Sequence, residues 1–385
     1  MLTSGSKISF LKKRGSLARV LLGIMAMKAY TLTLLFVFFL QTQVRESYEP
    51  FLFLENGQTR DKRLEGIQVS FLERLAPYDG QFYLDIADRG YRVLKKDDPN
   101  AANGPGGNYA FFPLYPLIAR CVRWAGRPAD LAILVLLSTA LSSAAAVGVY
   151  RIAQEIGVPP WPSVLFLETF PTAVFQSVVY TEALFLFLSV GVAFCAARSS
   201  VQTGAILGYL AGLCRPQGVL LGALWAGSSS RRPWKSALAP IIGVATFSAI
   251  LWAQIGAPLG FLGIQSHWAR QFSMGNLVRE VTSPWSYKGP PFDFLALLLG
   301  VGLVPVLWQK LPRSLALFGT LSVLLPLSTG TMLSFGRFLS VSFPHFLCIA
   351  KVLEGRRLAN VVLIGAFIVI QCFLAKGLVG WCFVG

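Results

Sequence analysis

Residues 18–40 read ARVLLGIMAMKAYTLTLLFVFFL, an apolar run long enough to cross a bilayer. A hydrocarbon core of ~30 Å takes about 20 helical residues. The run is longer than the core of a secretory signal and no small-residue cleavage site follows it, so it reads as an uncleaved first span. Similar runs recur nearly to the end of the chain, at about 131–150, 161–178, 181–198, 235–256, 292–309, 312–330, 333–351 and 359–380. Mean hydropathy is +0.59, with 54% apolar and 14% charged residues. That is about half the charged share of a soluble domain, too little to wet a large globular surface. The predicted fold class is all-α: a polytopic transmembrane helix bundle of about nine spans, forming a single integral-membrane domain over 1–385.

One apolar stretch, 203–228, is interrupted at its centre by Cys214-Arg215-Pro216-Gln217-Gly218. Proline and glycine break a helix there, so a pair of half-length helices is expected. Irregular backbone at membrane depth is tolerated where it is buried in protein or lines a polar cavity, which marks the break as a candidate site.

Lys7, Lys12, Lys13, Arg14 and Arg19 precede the first span, and the positive-inside rule places the N-terminus in the cytoplasm. Followed through the spans, this puts Arg151, Arg198, Arg231, Arg232, Lys235, Lys310, Arg313, Lys351, Arg356 and Arg357 on the cytoplasmic side. Residues 41–109 then form a large first extracytoplasmic loop and 257–291 a second. Lys95 and Lys96 lie in the first loop, which is too long for its charge to set topology. Asn103-Gly104-Pro105-Gly106-Gly107 reads as flexible, and 111–124 as an amphipathic piece lying along the interface.

The net charge of +16 is explained by orientation and anionic headgroups, and no basic helix with interleaved aromatics points to nucleic acid. The six cysteines, Cys121, Cys195, Cys214, Cys348, Cys372 and Cys382, lack paired spacing, and with two histidines neither a disulfide framework nor a metal site is expected. No Walker loop, dinucleotide fingerprint or serine elbow occurs, and no cofactor is expected.

Carboxylates are scarce, 18 against 34 bases, yet Asp79, Asp85 and Asp88 fall together in Tyr78-Asp79-Gly80-Gln81-Phe82-Tyr83-Leu84-Asp85-Ile86-Ala87-Asp88-Arg89-Gly90-Tyr91. On a helix Asp79 shares a stripe with Phe82, Tyr83 and Ile86, whereas Asp85 and Asp88 point elsewhere. Asp79 reads either as a general base or as an N-cap after Pro77, and Asp85 and Asp88 as a solvated face or as supporting polar groups. Glu182 opens a span, where it either complements the helix dipole or serves an outer polar cavity. Arg215 near mid-membrane is costly unless paired or hydrated. Arg337, at the outer end of a span, is open to snorkelling or to a site role. In the second loop, His267 and Arg270 flank Trp268. His345, inside a span, reads as a buried structural histidine. A carboxylate among cations at an outer face suits transfer of a group from a lipid phosphate: the acid deprotonates an acceptor hydroxyl while arginine neutralises the departing phosphate.

The acidic stretch followed by Ala110-Phe111-Phe112-Pro113-Leu114-Tyr115-Pro116 resembles the first luminal loop of the PIG-V family, the GPI mannosyltransferase 2 type, and its bacterial relatives. These are integral-membrane glycosyltransferases of the GT-C superfamily. The resemblance continues through Phe175-Gln176-Ser177-Val178-Val179-Tyr180-Thr181-Glu182-Ala183-Leu184-Phe185, Arg215-Pro216-Gln217-Gly218, and Arg337-Phe338-Leu339 with Phe343-Pro344. Family members commonly carry tryptophan at the position of Tyr78. The resemblance implies a GT-C type bundle, a polyprenyl-phosphate-linked hexose donor, mannose foremost, and inversion at the anomeric carbon. It implies Asp79 as base, with Glu182, Arg215 and Arg337 at motif positions; Arg215 and Arg337, joined by His267 and Arg270 from their position, are assigned to the donor phosphate. The acceptor expected is a hydroxyl of a lipid-linked glycan, glycolipid or protein. With no Asn-x-Ser/Thr sequon and no retention tail, a bacterial plasma membrane is favoured over the endoplasmic reticulum. A membrane transporter or lipid-sugar flippase, and a noncatalytic glycosyltransferase-like subunit, are the alternatives.

Overall fold

In a computed structural model, the structure describes residues 4–42, 69–93, 107–126, 128–228, 230–268, 270, 273–283 and 289–384. Most of the stretch expected to be flexible, and Lys95 and Lys96, lie outside them. In chain order the α-helices, apart from the single turns Phe71–Arg74 and Gly260–Gly263, are α1 (Ser4–Gln41), α2 (Asp79–Arg89), α3 (Leu114–Val122), α4 (Ala129–Glu155), α5 (Pro160–Thr169), α6 (Glu182–Ala197), α7 (Val201–Cys214), α8 (Pro233–Ile255), α9 (Met274–Thr282), α10 (Pro291–Lys310), α11 (Arg313–Ser328), α12 (Phe335–Ser340), α13 (Phe343–Val352) and α14 (Arg357–Val379). Two 3-10 stretches, Pro171–Ser177 and Pro216–Trp225, interrupt the bundle. Among the described residues no strand forms, and Val93 and Gly107 make an isolated bridge.

Five helical segments are long and apolar enough to cross a membrane: Ala18–Gln41 within α1, then α4, α8, α10 and α14. The architecture is that of an all-helical membrane protein. Proline divides several of the other apolar runs. The stretch 161–178 splits where α5 ends at Thr169 and Phe170 turns extended ahead of Pro171, the conformation that a following proline imposes. The Pro171–Ser177 stretch then meets α6 at a bend of 95°. The stretch 333–351 divides into α12 and α13 around Val341 and Ser342, and Pro344 lies in the first turn of α13. In 203–228 the chain breaks at Arg215, which is extended at φ −156° and ψ 153° between α7 and the Pro216–Trp225 stretch.

Outward-facing Leu136, Ile206, Ile241, Leu298 and Val361 leave a broad apolar exterior. Inside, small residues bring backbones together, as suits helix packing without a hydrophobic drive between lipid-bathed helices. A Cβ on Gly212 of α7 would lie 2.0 Å from the Pro240 carbonyl oxygen of α8, and one on Gly243 of α8 would lie 2.3 Å from that of Tyr209.

Helix α2 is docked on this frame by its preceding turn. The Val179 amide donates to the Leu75 carbonyl at 2.9 Å, and Tyr180 Oη donates to the Pro77 carbonyl at 2.9 Å. A Cβ on Gly80 would stand 3.0 Å from the Val179 carbonyl oxygen. These contacts set the start of α2 beside the start of α6, so Asp79 and Glu182 become neighbours although about a hundred residues apart. Helix α3 keeps Tyr115, Pro116 and Ala119 inside and turns Leu117 outward. Beyond it, Trp124 is 84% exposed, as an interfacial piece requires.

Candidate functional site

Four charged side chains from four distant elements form one connected cluster. Arg337, the last-turn cation of α12, donates from Nη2 to Asp79 Oδ2 at 2.7 Å. The same guanidinium reaches Glu182 Oε1 from Nε at 3.0 Å and from Nη2 at 2.8 Å. Arg215, held at the break after α7, donates from Nη2 to Glu182 Oε1 at 3.2 Å. Glu182 is thus a buried anion shared by two buried cations, and Asp79 is the member that meets solvent, with 24% of its side chain exposed.

Aromatic faces complete the walls. The Arg337 guanidinium lies 4.8 Å from the Phe175 ring centroid and 4.7 Å from that of Tyr180. Arg215 stands 5.9 Å from Phe185 and 5.7 Å from Phe338. Arg270 joins them from the second loop, 5.0 Å from the same Phe338 ring, with Nη2 donating to the Leu333 carbonyl at 3.3 Å. Burial pulls the Arg270 guanidinium down to about 10, and the Asp79 carboxylate opposes that fall. Beside the cluster Tyr83 is buried, its hydroxyl 3.2 Å from Thr181 Oγ1. Burial first, and then the Asp79 and Glu182 charges, push that phenol well above its ordinary value, so it stays protonated.

Three arginines face two carboxylates, leaving one positive charge in excess. Arg215 Nη1 and Arg270 Nε are buried donors with no hydrogen-bond partner, and Glu182 Oε2 is a buried acceptor in the same condition. Unsatisfied buried donors are rare and call for an explanation. Beside a partly exposed carboxylate, a cationic cluster with a spare guanidinium donor is chemically suited to an anion such as a phosphate.

The turn that presents Arg337 is clamped by two further acids. Asp293, near the start of α10, accepts from the Ser334 and Gly336 amides at 2.9 Å each. Glu280 of α9 accepts from the Met332 amide at 2.7 Å and from Thr331 Oγ1. Ser334 sits in the left-handed region at φ 64°, a conformation a non-glycine residue holds only under such constraint. Tyr78, immediately before Asp79, is likewise at φ 45°, held by its hydroxyl bond to the Trp381 carbonyl at 2.8 Å.

Several expectations need correction. Asp79 does not cap a helix: Tyr78 occupies the cap position without a side-chain bond, and Asp79 is the first residue of α2, turned to Arg337. Asp85 is not on a solvated face. Its side chain is 1% exposed, paired with Arg89 at 2.7 Å and Arg92 at 3.1 Å, and accepts from Asn108 at 2.8 Å. The reason is that the loop folds over α2, so the helix is covered on sides that its isolated periodicity assigns to water. Asp88 pairs with Arg123 at 2.6 Å, and Arg123 also holds buried Asp130 of α4. Asp85 and Asp88 therefore fasten the loop and stand apart from the cluster. The His267 side chain lies outside the described residues. His345 is buried, with Nδ1 2.9 Å from Ser342 Oγ.

Sequence reading missed Asp293 and Glu280, since an acid at a helix start or on an amphipathic loop helix is unremarkable by itself. It also passed over Lys28 in the opening apolar run and Glu168, a buried pair at 2.6 Å. The signal available there was two ionisable groups in separate apolar segments. Among the described residues no three His, Cys, Asp or Glu side chains gather in a group able to hold a metal. No protein-family model and no curated protein matches this chain.

Proposed function

We propose that the protein is an inverting glycosyltransferase that moves a hexose, mannose foremost, from a polyprenyl-phosphate donor to an acceptor hydroxyl at the extracytoplasmic membrane face. The observation that carries this reading is the asymmetric cluster: a partly exposed Asp79 carboxylate oriented by a buried arginine, next to a second arginine with an unsatisfied donor. In the reaction, the acceptor oxygen attacks the anomeric carbon and its proton passes to the Asp79 carboxylate. The bond from that carbon to the phosphate oxygen breaks, and the electron pair leaves with the polyprenyl phosphate. Arg215 and Arg270 neutralise that leaving group. Arg337, bridging Asp79 and Glu182, holds the base in line. Phosphate departs without a general acid. The similarity of the loop motifs to the PIG-V family, within the GT-C superfamily, points the same way. It favours a lipid-linked glycan, glycolipid or protein as acceptor, and a bacterial plasma membrane with the N-terminus in the cytoplasm.

Reconstitution into liposomes with radiolabelled polyprenyl phosphate mannose separates this reading from a transporter. Transferase activity yields label covalently attached to an added lipid or peptide acceptor. Label that crosses the bilayer still bound to its polyprenyl phosphate, with no product at any acceptor, contradicts it and supports a flippase. Activity that appears only on adding a partner protein supports a noncatalytic subunit.

A further inference from the structure

A second polar cluster lies in the bundle core, away from the carboxylate and arginines described above. Lys28, in the middle of the span Ala18–Gln41, contacts Glu168 at the end of α5, with Nζ 2.6 Å from Oε2 and both side chains almost wholly buried. The approach lies outside hydrogen-bond angles, and neither Glu168 oxygen has a hydrogen-bond partner. Lys28 Nζ donates instead to Ser142 Oγ of α4 at 2.6 Å. Ser142 Oγ donates in turn to Gln176 Oε1 at 2.8 Å. Gln176 Nε2 donates to the Ser340 carbonyl at the end of α12 at 3.3 Å, and Ser340 Oγ donates to the Arg337 carbonyl at 2.7 Å. All four side chains from Lys28 to Ser340 are buried.

The order of donors in this chain is forced. The Ser340 carbonyl only accepts, so it takes the amide nitrogen of Gln176, and the Lys28 ammonium only donates, so Ser142 accepts from it. The carboxamide oxygen of Gln176 is thereby turned toward Ser142, whose hydroxyl proton goes to it. Were the amide reversed, two oxygens would face each other at Ser340. A buried ion pair contributes little net stability over well-packed apolar residues of the same size, and within lipid both charges are costly. The pair therefore calls for a role besides holding helices together. We propose that Lys28, charge-balanced by Glu168, is a positioning residue: through Ser142 and Gln176 it sets the placement of α12 and hence of Arg337 beside Asp79. This rests on the transferase reading for its consequence in catalysis, but the relay itself is testable without it.

Ser142→Ala breaks the relay while leaving the ion pair in place, and Lys28→Met/Glu168→Leu removes both charges together so that no lone charge is buried. Ser143→Ala is the control, because Ser143 Oγ bonds the Thr139 carbonyl of its own helix at 2.7 Å. Hydrogen exchange followed by mass spectrometry on the detergent-purified full chain reads the amides of 335–342. Both relay variants are expected to raise exchange there about tenfold, the equivalent of about one lost buried hydrogen bond, with Ser143→Ala unchanged. Ser142→Ala combined with Gln176→Ala should add little to either alone, since they interrupt one chain. Equal exchange in Ser142→Ala and Ser143→Ala, or additive effects of Ser142→Ala and Gln176→Ala, overturns the proposal. In the transfer assay kcat should fall in the relay variants with donor KM within about twofold, because α12 orients the base. A kcat equal to that of the wild type overturns the catalytic consequence. A wild type with no transfer sinks the transferase reading alone, and the exchange data still decide the relay.

Discussion

Glu182 shows how much one side chain controls. It is the shared anion for Arg337 and Arg215, and Glu182→Gln leaves the buried Arg215 guanidinium without its counter-charge and Arg337 with Asp79 alone. Breaking one side of a buried ion pair costs on the order of 3–5 kcal/mol, so this variant should show a markedly lower unfolding midpoint in detergent, measured by thermal or denaturant unfolding. An unchanged midpoint contradicts the shared-anion geometry. Arg337→Lys keeps a charge but replaces a planar fork by a point donor, which cannot span Asp79 and Glu182 in the same way. Transfer should drop about 100-fold, the scale expected when a reacting group is misplaced by about 1 Å. The four clustered residues were legible in the sequence because ionised groups inside or beside apolar segments are expensive and need partners. Which partner each would find was not legible, because Asp79 and Arg337 are 258 positions apart. Asp85 was misread for a related reason: helical periodicity describes an isolated helix, and the loop over α2 supplies Arg92 and Asn108 from beyond it.

At the scale of elements, prolines and glycines decide where apolar runs become spans. The break at Arg215-Pro216 was readable from composition, since a residue before proline is driven out of the helical region. The division at Phe170-Pro171 rests on the same chemistry, whereas Pro344 sits in the first turn of α13, where its missing amide is no loss; hydropathy alone ran across both. Close approach of α7 to α8 was hidden as well, because a glycine in an apolar run does not announce which backbone it faces. Gly212→Ala would press its methyl group to 2.0 Å from the Pro240 oxygen, and overpacking of this kind costs about 1–3 kcal/mol. Gly302→Ala in α10, where a Cβ meets nothing within 4 Å, should be neutral or gain up to ~1 kcal/mol from helix propensity. Paired unfolding measurements check this contrast, and equal effects at the two sites contradict the packing assigned to α7 and α8.

For the whole molecule, the all-helical membrane character followed from composition and run length, while the assembly of distant loops into one charged cluster did not. The orientation assigned to the chain places α3 outside the cytoplasm. Cys121 of α3 is an exposed native thiol, so a membrane-impermeant maleimide added to intact spheroplasts should label it, and Cys121→Ser should remove that label. Labelling that requires permeabilisation reverses the orientation. Single-turnover transfer from radiolabelled polyprenyl phosphate mannose by wild type and Asp79→Asn, with donor binding measured in parallel, tests the proposed role of Asp79 as base in sugar transfer. A fall of about 10²–10⁴-fold, the usual contribution of a general base, with donor binding retained, is the predicted result. Equal transfer by the two proteins would contradict it.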